Sequence, residues 1–149
     1  MQLVVLGLNH KTVPVDIREQ FAISPDSARS GLIHLDEQEG IEEAVVLSTC
    51  NRTEIYAVLK DETAKKMLYD FFLALSGNSE AKDEYFFYFE GEACIRHLFE
   101  VVSGLDSMVI GESQILNQIK TAYTMALEEK ATRTILNTLF HRAIRTGKR

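Results

Sequence analysis

With 149 residues, 46% hydrophobic and 26% charged, the chain has the composition of one globular domain and not of a disordered segment. A formal net charge of −6 argues against a domain that grips nucleic acid over its whole surface by neutralising phosphates. No apolar run approaches the roughly 20 residues of a membrane span, and two cysteines, Cys50 and Cys94, suit a reducing, cytoplasmic setting.

In chain order, MQLVVLGLN reads as a strand and not as a signal peptide, and it ends at the polar loop Asn9-His10-Lys11-Thr12. Pro14 keeps a helix from starting before it, so a short helix is predicted over 16–22. Ser24 and Pro25 are a cap and a first-turn residue for a second helix, with Gly40 as its stop. EEAVVLST and RTEIYAVL read as two strands separated only by Cys50 and Asn51, and 62–76 as a helix with Leu68, Phe71, Phe72 and Leu75 on one stripe. YFFYF at 85–89 reads as a short strand. Cys94, Leu98, Val101, Val102 and Leu105 then line one face of a helix, GLDSMVIGE interrupts it, and two further amphipathic helices follow. The order is that of an α+β domain: an antiparallel or mixed sheet with helices on one face. Residues 131–149 hold Arg133, Arg142, Arg145, Lys148 and Arg149 and no acid. That is either a helix with cations toward its negative end or a contact surface for a polyanion.

Two readings of Cys50 stand side by side: a small buried hydrophobe in a sheet, or a nucleophile whose thiolate a nearby cation favours. If the second strand begins at Cys50, Arg52 projects on the same side, where it can steady a thiolate or fork onto a substrate carboxylate; otherwise it pairs with Glu54. His97, one turn after Cys94, is a satisfied core residue or a general acid or base. No second Cys/His pair stands at ligand spacing, so no metal site is expected. Gln114 and Gln118 lie one turn apart on one surface, with Ser107 and Glu112, at a helix start flanked by Gly104 and Gly111, glycines that let backbone approach a carboxylate or phosphate closely. The stretch reads equally well as a solvated turn between two helices. No glycine-rich phosphate loop occurs.

GLNHKTVPVDIRE (7–19), STCNRTEIY (48–56) and SGLDSMVIGESQIL (103–116), in this order, closely resemble the motifs of glutamyl-tRNA reductase. The resemblance covers essentially the whole chain. It implies a catalytic domain over 1–130 and the start of a connecting spinal helix over 131–149. NADPH-binding and dimerisation domains would follow, and the full-length protein would be a homodimer, this fragment a monomer. The fold it implies is α+β, a ferredoxin-like antiparallel or mixed sheet with helices packed on it, followed by C-terminal helices. The implied reaction is the first step of five-carbon tetrapyrrole (porphyrin) biosynthesis. Glutamyl-tRNA is attacked by Cys50 to give a thioester, which NADPH, bound on a domain outside this chain, reduces to glutamate-1-semialdehyde. By the same resemblance His97 is catalytic, and Thr49, Asn51, Arg52, Ser107, Glu112, Ser113, Gln114 and Gln118 contact substrate. The family commonly has proline where this chain has Ser113, a departure that leaves a backbone contact compatible with the motif and the choice between side chain and backbone open. The downstream glutamate-1-semialdehyde aminomutase is a partner by implication. Rival readings are a stand-alone cysteine acyltransferase or thioesterase, and a non-catalytic domain that holds glutamyl-tRNA or a partner protein.

Overall fold

The computed structural model describes residues 1–104 and 114–148, so the expected helix-face residue Leu105 and the site residues Ser107, Glu112 and Ser113 lie outside the described residues. The strands are β1 (Gln2–Asn9), β2 (Ile41–Ser48), β3 (Arg52–Leu59) and β4 (Phe87–Glu90). The helices are α1 (Val15–Gln20), α2 (Pro25–Ile33), α3 (Lys65–Ser76), α4 (Glu92–Ser103), α5 (Ile115–Glu128) and α6 (Thr134–Gly147). One sheet runs β2-β3-β1-β4 with every neighbouring pair antiparallel. That order makes it an α+β, ferredoxin-like sheet: β1 and β2 flank β3, and β3 and β4 flank β1.

Sequence periodicity placed helices on one face of this sheet; the structure covers both. Cross-strand pairing puts Val5, Gly7 and Asn9 of β1 opposite Tyr56, Glu54 and Arg52 of β3, and Val5 and Gly7 opposite Phe89 and Phe87 of β4, so these residues share a face. Onto it pack α4, through His97, and α6, through Phe140, which meets the Tyr56 ring edge-on at 5.4 Å. The opposite face, with Leu6, Val46 and Tyr88, receives α2 and α3; Lys65 of α3 sits 4.2 Å above the Tyr88 ring. β1 and β3 are therefore buried on both sides, with Asn9, Arg52 and Glu54 as polar residues within the covered face. Periodicity marks which residues of each helix are buried, but not on which side of the sheet the helix lands.

Local signals are met where they are local. Ser24 Oγ accepts from the Ser27 N–H at 3.1 Å, with Pro25 in the first turn of α2. That helix stops at Ile33, before a 3₁₀ turn over Leu35–Glu37, and Gly40 serves the later turn into β2. Part of the exposed edge of β2 is closed from far along the chain, where the Ala44 N–H donates to the carbonyl of Ala131 at 2.9 Å.

The start of α6 is fixed across the chain as well. Glu43, 2% exposed on β2, accepts from the backbone N–H of Arg133 at 2.6 Å and of Leu136 at 3.0 Å. These are orphan donors of the first helical turn, and a carboxylate there also meets the positive end of the helix dipole. A charged hydrogen bond of this kind contributes about 1.5–3 kcal/mol. We expect Glu43→Ala to lower urea-unfolding stability by about 2–3 kcal/mol and Glu43→Gln, which keeps an acceptor, by less. Equal losses in the two variants would show that volume and not capping is what Glu43 supplies.

Candidate functional site

β3 begins at Arg52, so Cys50 belongs to the turn that precedes the strand, and the alternation that would align it with Arg52 does not extend to it. Thr49 builds this turn. Its Oγ1 accepts from the N–H groups of Asn51 at 3.1 Å and Arg52 at 3.2 Å, and its own N–H donates to the Arg52 carbonyl at 2.7 Å. Side-chain oxygens that mimic a backbone acceptor favour such turns. The outcome is that Cys50 is exposed and held at the tip, not packed into the sheet. A cation does approach it, from a residue that sequence reasoning passed over. Arg18 of α1, 8% exposed, donates through Nη1 to the Val13 carbonyl at 3.0 Å and through Nε to the Cys50 carbonyl at 3.5 Å. The motif VPVDIRE contained this arginine; nothing local marked it as buried.

Beneath the turn lies a buried ionic network. Glu54, with no solvent exposure, accepts from Arg52 Nη1 at 3.1 Å and His97 Nε2 at 2.6 Å on one oxygen, and from the Tyr56 hydroxyl at 2.7 Å on the other. Burial pushes the Glu54 carboxyl up. The hydrogen bond and charge of His97, the charge of Arg52 and the Tyr56 hydroxyl outweigh it, so the group is held below the ordinary carboxylate range. Tyr56 goes well above its ordinary value through burial and then the Glu54 charge. With Glu54 ionised, the proton of its bond to His97 sits on Nε2, and in the neutral ring Nδ1 is the free base. Gly7 makes room for all this. A Cβ there would stand 2.8 Å from the Phe87 ring and 2.9 Å from Glu54 Cγ and the Thr53 carbonyl.

His97 is therefore buried within the network, not at the margin of an apolar face, with its ring against Phe87 (4.8 Å) and Phe89 (5.3 Å). One side of it opens on a cleft of about 320 Å³ with those two rings, Asn9 and Thr12, and with Lys11 and Arg96 as its cations. Asn9 is the cross-strand neighbour of Arg52 and closes the Asn9–Thr12 turn, its carbonyl accepting from Thr12 and Val13 at 3.0 Å. Gln114 and Gln118 line a different cleft, of about 390 Å³, between α2, α5 and the end of β2; it reaches Ser48, two residues before Cys50. The structure thus joins Thr49, Cys50, Asn51 and Arg52 in one turn and ties Arg52 to His97 through Glu54. It sets the two glutamines in the second cleft, away from that network. Cys94 is buried, and burial followed by the Glu54 charge pushes its thiol up to about 12. Among the described residues no group of three or more His, Cys, Asp or Glu could hold a metal ion, and no helix is long and apolar enough to cross a membrane.

Fold and site together define a class: a ferredoxin-like α+β domain that presents one thiol on a turn above a buried Arg-Glu-His network. The chain belongs to the glutamyl-tRNA reductase N-terminal domain family, whose model, "Glutamyl-tRNAGlu reductase, N-terminal domain", matches residues 6–149. It is 47% identical over 152 residues to the glutamyl-tRNA reductase of Rubrobacter xylanophilus, covering 100% of this chain and 35% of that protein. To that of Bacillus subtilis it is 40% identical, covering 100% of this chain and 33% of that protein. The solved structure of glutamyl-tRNA reductase from Methanopyrus kandleri aligns over 98% of this chain and 33% of its own, with a TM-score of 0.79 and 33% identity. The chain spans about a third of the length of these relatives.

The two thiols should separate in a titration with a chromogenic disulfide. One equivalent, Cys50, reacts in the native protein, and Cys94 only once denaturant opens the fold. Glu54→Gln removes the charge that both Arg52 Nη1 and His97 Nε2 bond in the interior, which should cost about 3–5 kcal/mol. Because folding lowers the Glu54 pKa, the stability it contributes is present above its unfolded value and is lost as pH falls through its folded one. Acid unfolding monitored by circular dichroism should accordingly be less steep in Glu54→Gln than in the wild type; an unchanged acid limb would remove Glu54 as its cause.

Proposed function

We propose that this domain performs the acyl-transfer half of glutamyl-tRNA reduction, an oxidoreductase step in porphyrin biosynthesis that takes place in the cytoplasm. The observation that carries it is the contrast between the two cysteines. One is exposed on a turn braced by Thr49 and Arg18, and the other is buried with its thiol held protonated. Family membership supplies the substrate: the relatives are named for it, and the thiol supplies the chemistry.

In this reading Cys50 Sγ attacks the carbonyl carbon of the ester that joins the glutamyl group to the terminal ribose. The C–S bond forms, the C–O bond breaks, and the ribose oxygen leaves with the proton that the thiol gave up. His97 carries that proton, through the Nδ1 that its bond to Glu54 keeps free in the neutral ring. Arg18, bonded to the Cys50 carbonyl, braces the turn that presents the thiol and brings a positive charge toward the adduct. Thr49 and Asn51 shape the turn that meets the substrate, and Gln114 and Gln118 contact it from the second cleft. Arg52, 1% exposed, acts on the glutamyl carboxylate through its field from beneath the turn. Lys11 and Arg96, on the rim of the His97 cleft, are the accessible cations for that carboxylate. A charged partner at this point discriminates against glutamine, which offers nothing to pair.

NADPH, the reductant that the family implies, finds no fit among the described residues. A dinucleotide pyrophosphate takes the free N–H groups of a helix start behind a glycine turn. The one glycine between a strand and the following helix, Gly91 between β4 and α4, stands between Glu90 and Glu92, whose carboxylates repel an anion. The share of this domain is therefore the thioester, and reduction belongs to the longer protein. Without a hydride donor the only exit for the thioester is water, which makes the isolated chain a slow glutamyl-tRNA esterase.

Mixing the chain with labelled glutamyl-tRNA should leave stoichiometric label on the protein and release glutamate slowly. Cys50→Ser should lose the captured label by at least a hundredfold while keeping its circular dichroism spectrum, because a hydroxyl is a far weaker nucleophile than a thiolate. Undiminished covalent capture in Cys50→Ser removes Cys50 from the mechanism. Tight binding of glutamyl-tRNA with neither capture nor glutamate release in the wild type favours a holding domain instead.

A further inference from the structure

The outer face of α6 is not used by the acyl-transfer chemistry, and its position in the fold gives it a role. Its inner face is Leu136, Leu139, Phe140 and Ala143, all buried against the sheet, α4 and α5. Arg142, Arg145 and Lys148 stand exposed on the outside, one per turn toward the C-terminal end. Among the described residues none of the three pairs with a carboxylate. In a chain of net charge −6 this is a local concentration of cations that makes no ion pair among the described residues.

The fold fixes which end of the sheet these cations reach. α6 starts at Glu43, and Glu43 pairs with Val58, at the end of β3 remote from the Cys50 turn. Halfway along, Phe140 meets Tyr56. From Phe140 to Gly147 the helix advances about 10 Å at 1.5 Å per residue. From Tyr56 back to Arg52 β3 covers about 13 Å at 3.3 Å per residue. The last turns of α6 therefore draw level with Arg52 and the Cys50 turn. α4 gives the same direction independently. It begins where the Gly91 N–H bonds the Leu3 carbonyl, Leu3 being the partner of Val58, and it passes Glu54 at His97. It reaches Val102 beside Gly147, where a Cβ on Gly147 would stand 2.4 Å from Val102 Cγ1.

We propose that Arg142, Arg145 and Lys148 form a contact surface for the phosphate backbone of the RNA whose esterified end is delivered to Cys50. This deepens the function proposed above and rests on it. Sequence alone left the cations of this segment divided between helix-dipole partners and a polyanion surface. Position favours the second: the cations stand at the thiol end of the domain, where a substrate carrying a long polyanion must approach. They are also exposed, so a phosphate reaches them without breaking any ion pair among the described residues. A cation row at the thiol end of the domain orients the RNA without a basic surface over the whole domain, which reconciles the acidic composition with a nucleic-acid substrate.

The test is single-turnover transfer of labelled glutamate to Cys50 at several salt concentrations. It compares the wild type, the triple variant Arg142→Gln/Arg145→Gln/Lys148→Gln and the charge-preserving Arg142→Lys/Arg145→Lys. Two substrates are used: glutamyl-tRNA, and the glutamyl ester of adenosine, which has no phosphate backbone. For glutamyl-tRNA the triple variant should show a log–log salt dependence shallower by about 2, at about 0.7–0.9 per phosphate contact. At low salt it should need at least tenfold more substrate for half-maximal capture. The lysine variant should stay near the wild type, and capture from the adenosine ester should be unchanged in all three proteins. A triple variant with the wild-type salt slope and wild-type capture from tRNA overturns the proposal while leaving the acyl-transfer reading intact. Loss of capture from both substrates, with a lowered unfolding midpoint, shows that the cations serve the helix and also overturns it. If neither substrate labels the wild-type protein, it is the acyl-transfer reading that fails.

Discussion

A carboxylate with no solvent exposure sits in the middle of this domain and has to be neutralised by what surrounds it. Glu54 is costly in a protein interior unless donors surround it. Here three do so from different directions: an arginine two residues earlier on its own strand, a tyrosine two residues later, and a histidine from a helix that enters only after β4 has been laid down. Satisfying that one group constrains the registry of β1 on β3, the entry of α4 and the orientation of an imidazole. The missing side chain at position 7 belongs to the same constraint, because any Cβ there would fill the space through which Glu54 and Phe87 cross β1.

Rigidity below the turn sets off what happens above it. The Cys50 turn has its backbone bonds satisfied by Thr49 and Arg18, so its tip is presented without being buried. Exposure is what separates it from Cys94, which shares the helix of His97 and the field of Glu54 but points into the core. The two thiols thus differ in exposure, and burial followed by the Glu54 charge raises the pKa of Cys94. Burial first, and then the same carboxylate that bonds His97, keep Cys94 protonated.

α6 is bound into the domain from its first turn to its last. Glu43 caps its start, Phe140 stacks on Tyr123 at 5.4 Å and stands edge-on to Tyr56, and Gly147 passes close to Val102. Those three anchors give the helix its direction across the sheet. They place its apolar face on the core and its cations outside, at the thiol end. Direction, more than composition, is what brings the basic segment of this acidic protein to that end of the sheet.

Much of this was legible from residues near one another in sequence. The strands and helices, the Ser24–Pro25 start of α2, the connection that carries Cys50 and the motifs that mark the family all depend on propensity, capping and periodicity within a few residues. The alternative partner for Arg52, Glu54, was legible too, because residues two apart on a strand share a face. What only tertiary structure decided are the contacts made over long separations. His97 reaches Glu54 across 43 residues, Arg18 reaches the Cys50 carbonyl across 32, and Glu43 caps Arg133 across 90. Nothing in a local pattern distinguishes a glutamate that will be buried as a helix cap or as an ionic hub from one that stays in water. The difference lies in which donors the folded chain brings to it, and in that sense burial of charge is a property of the assembled fold.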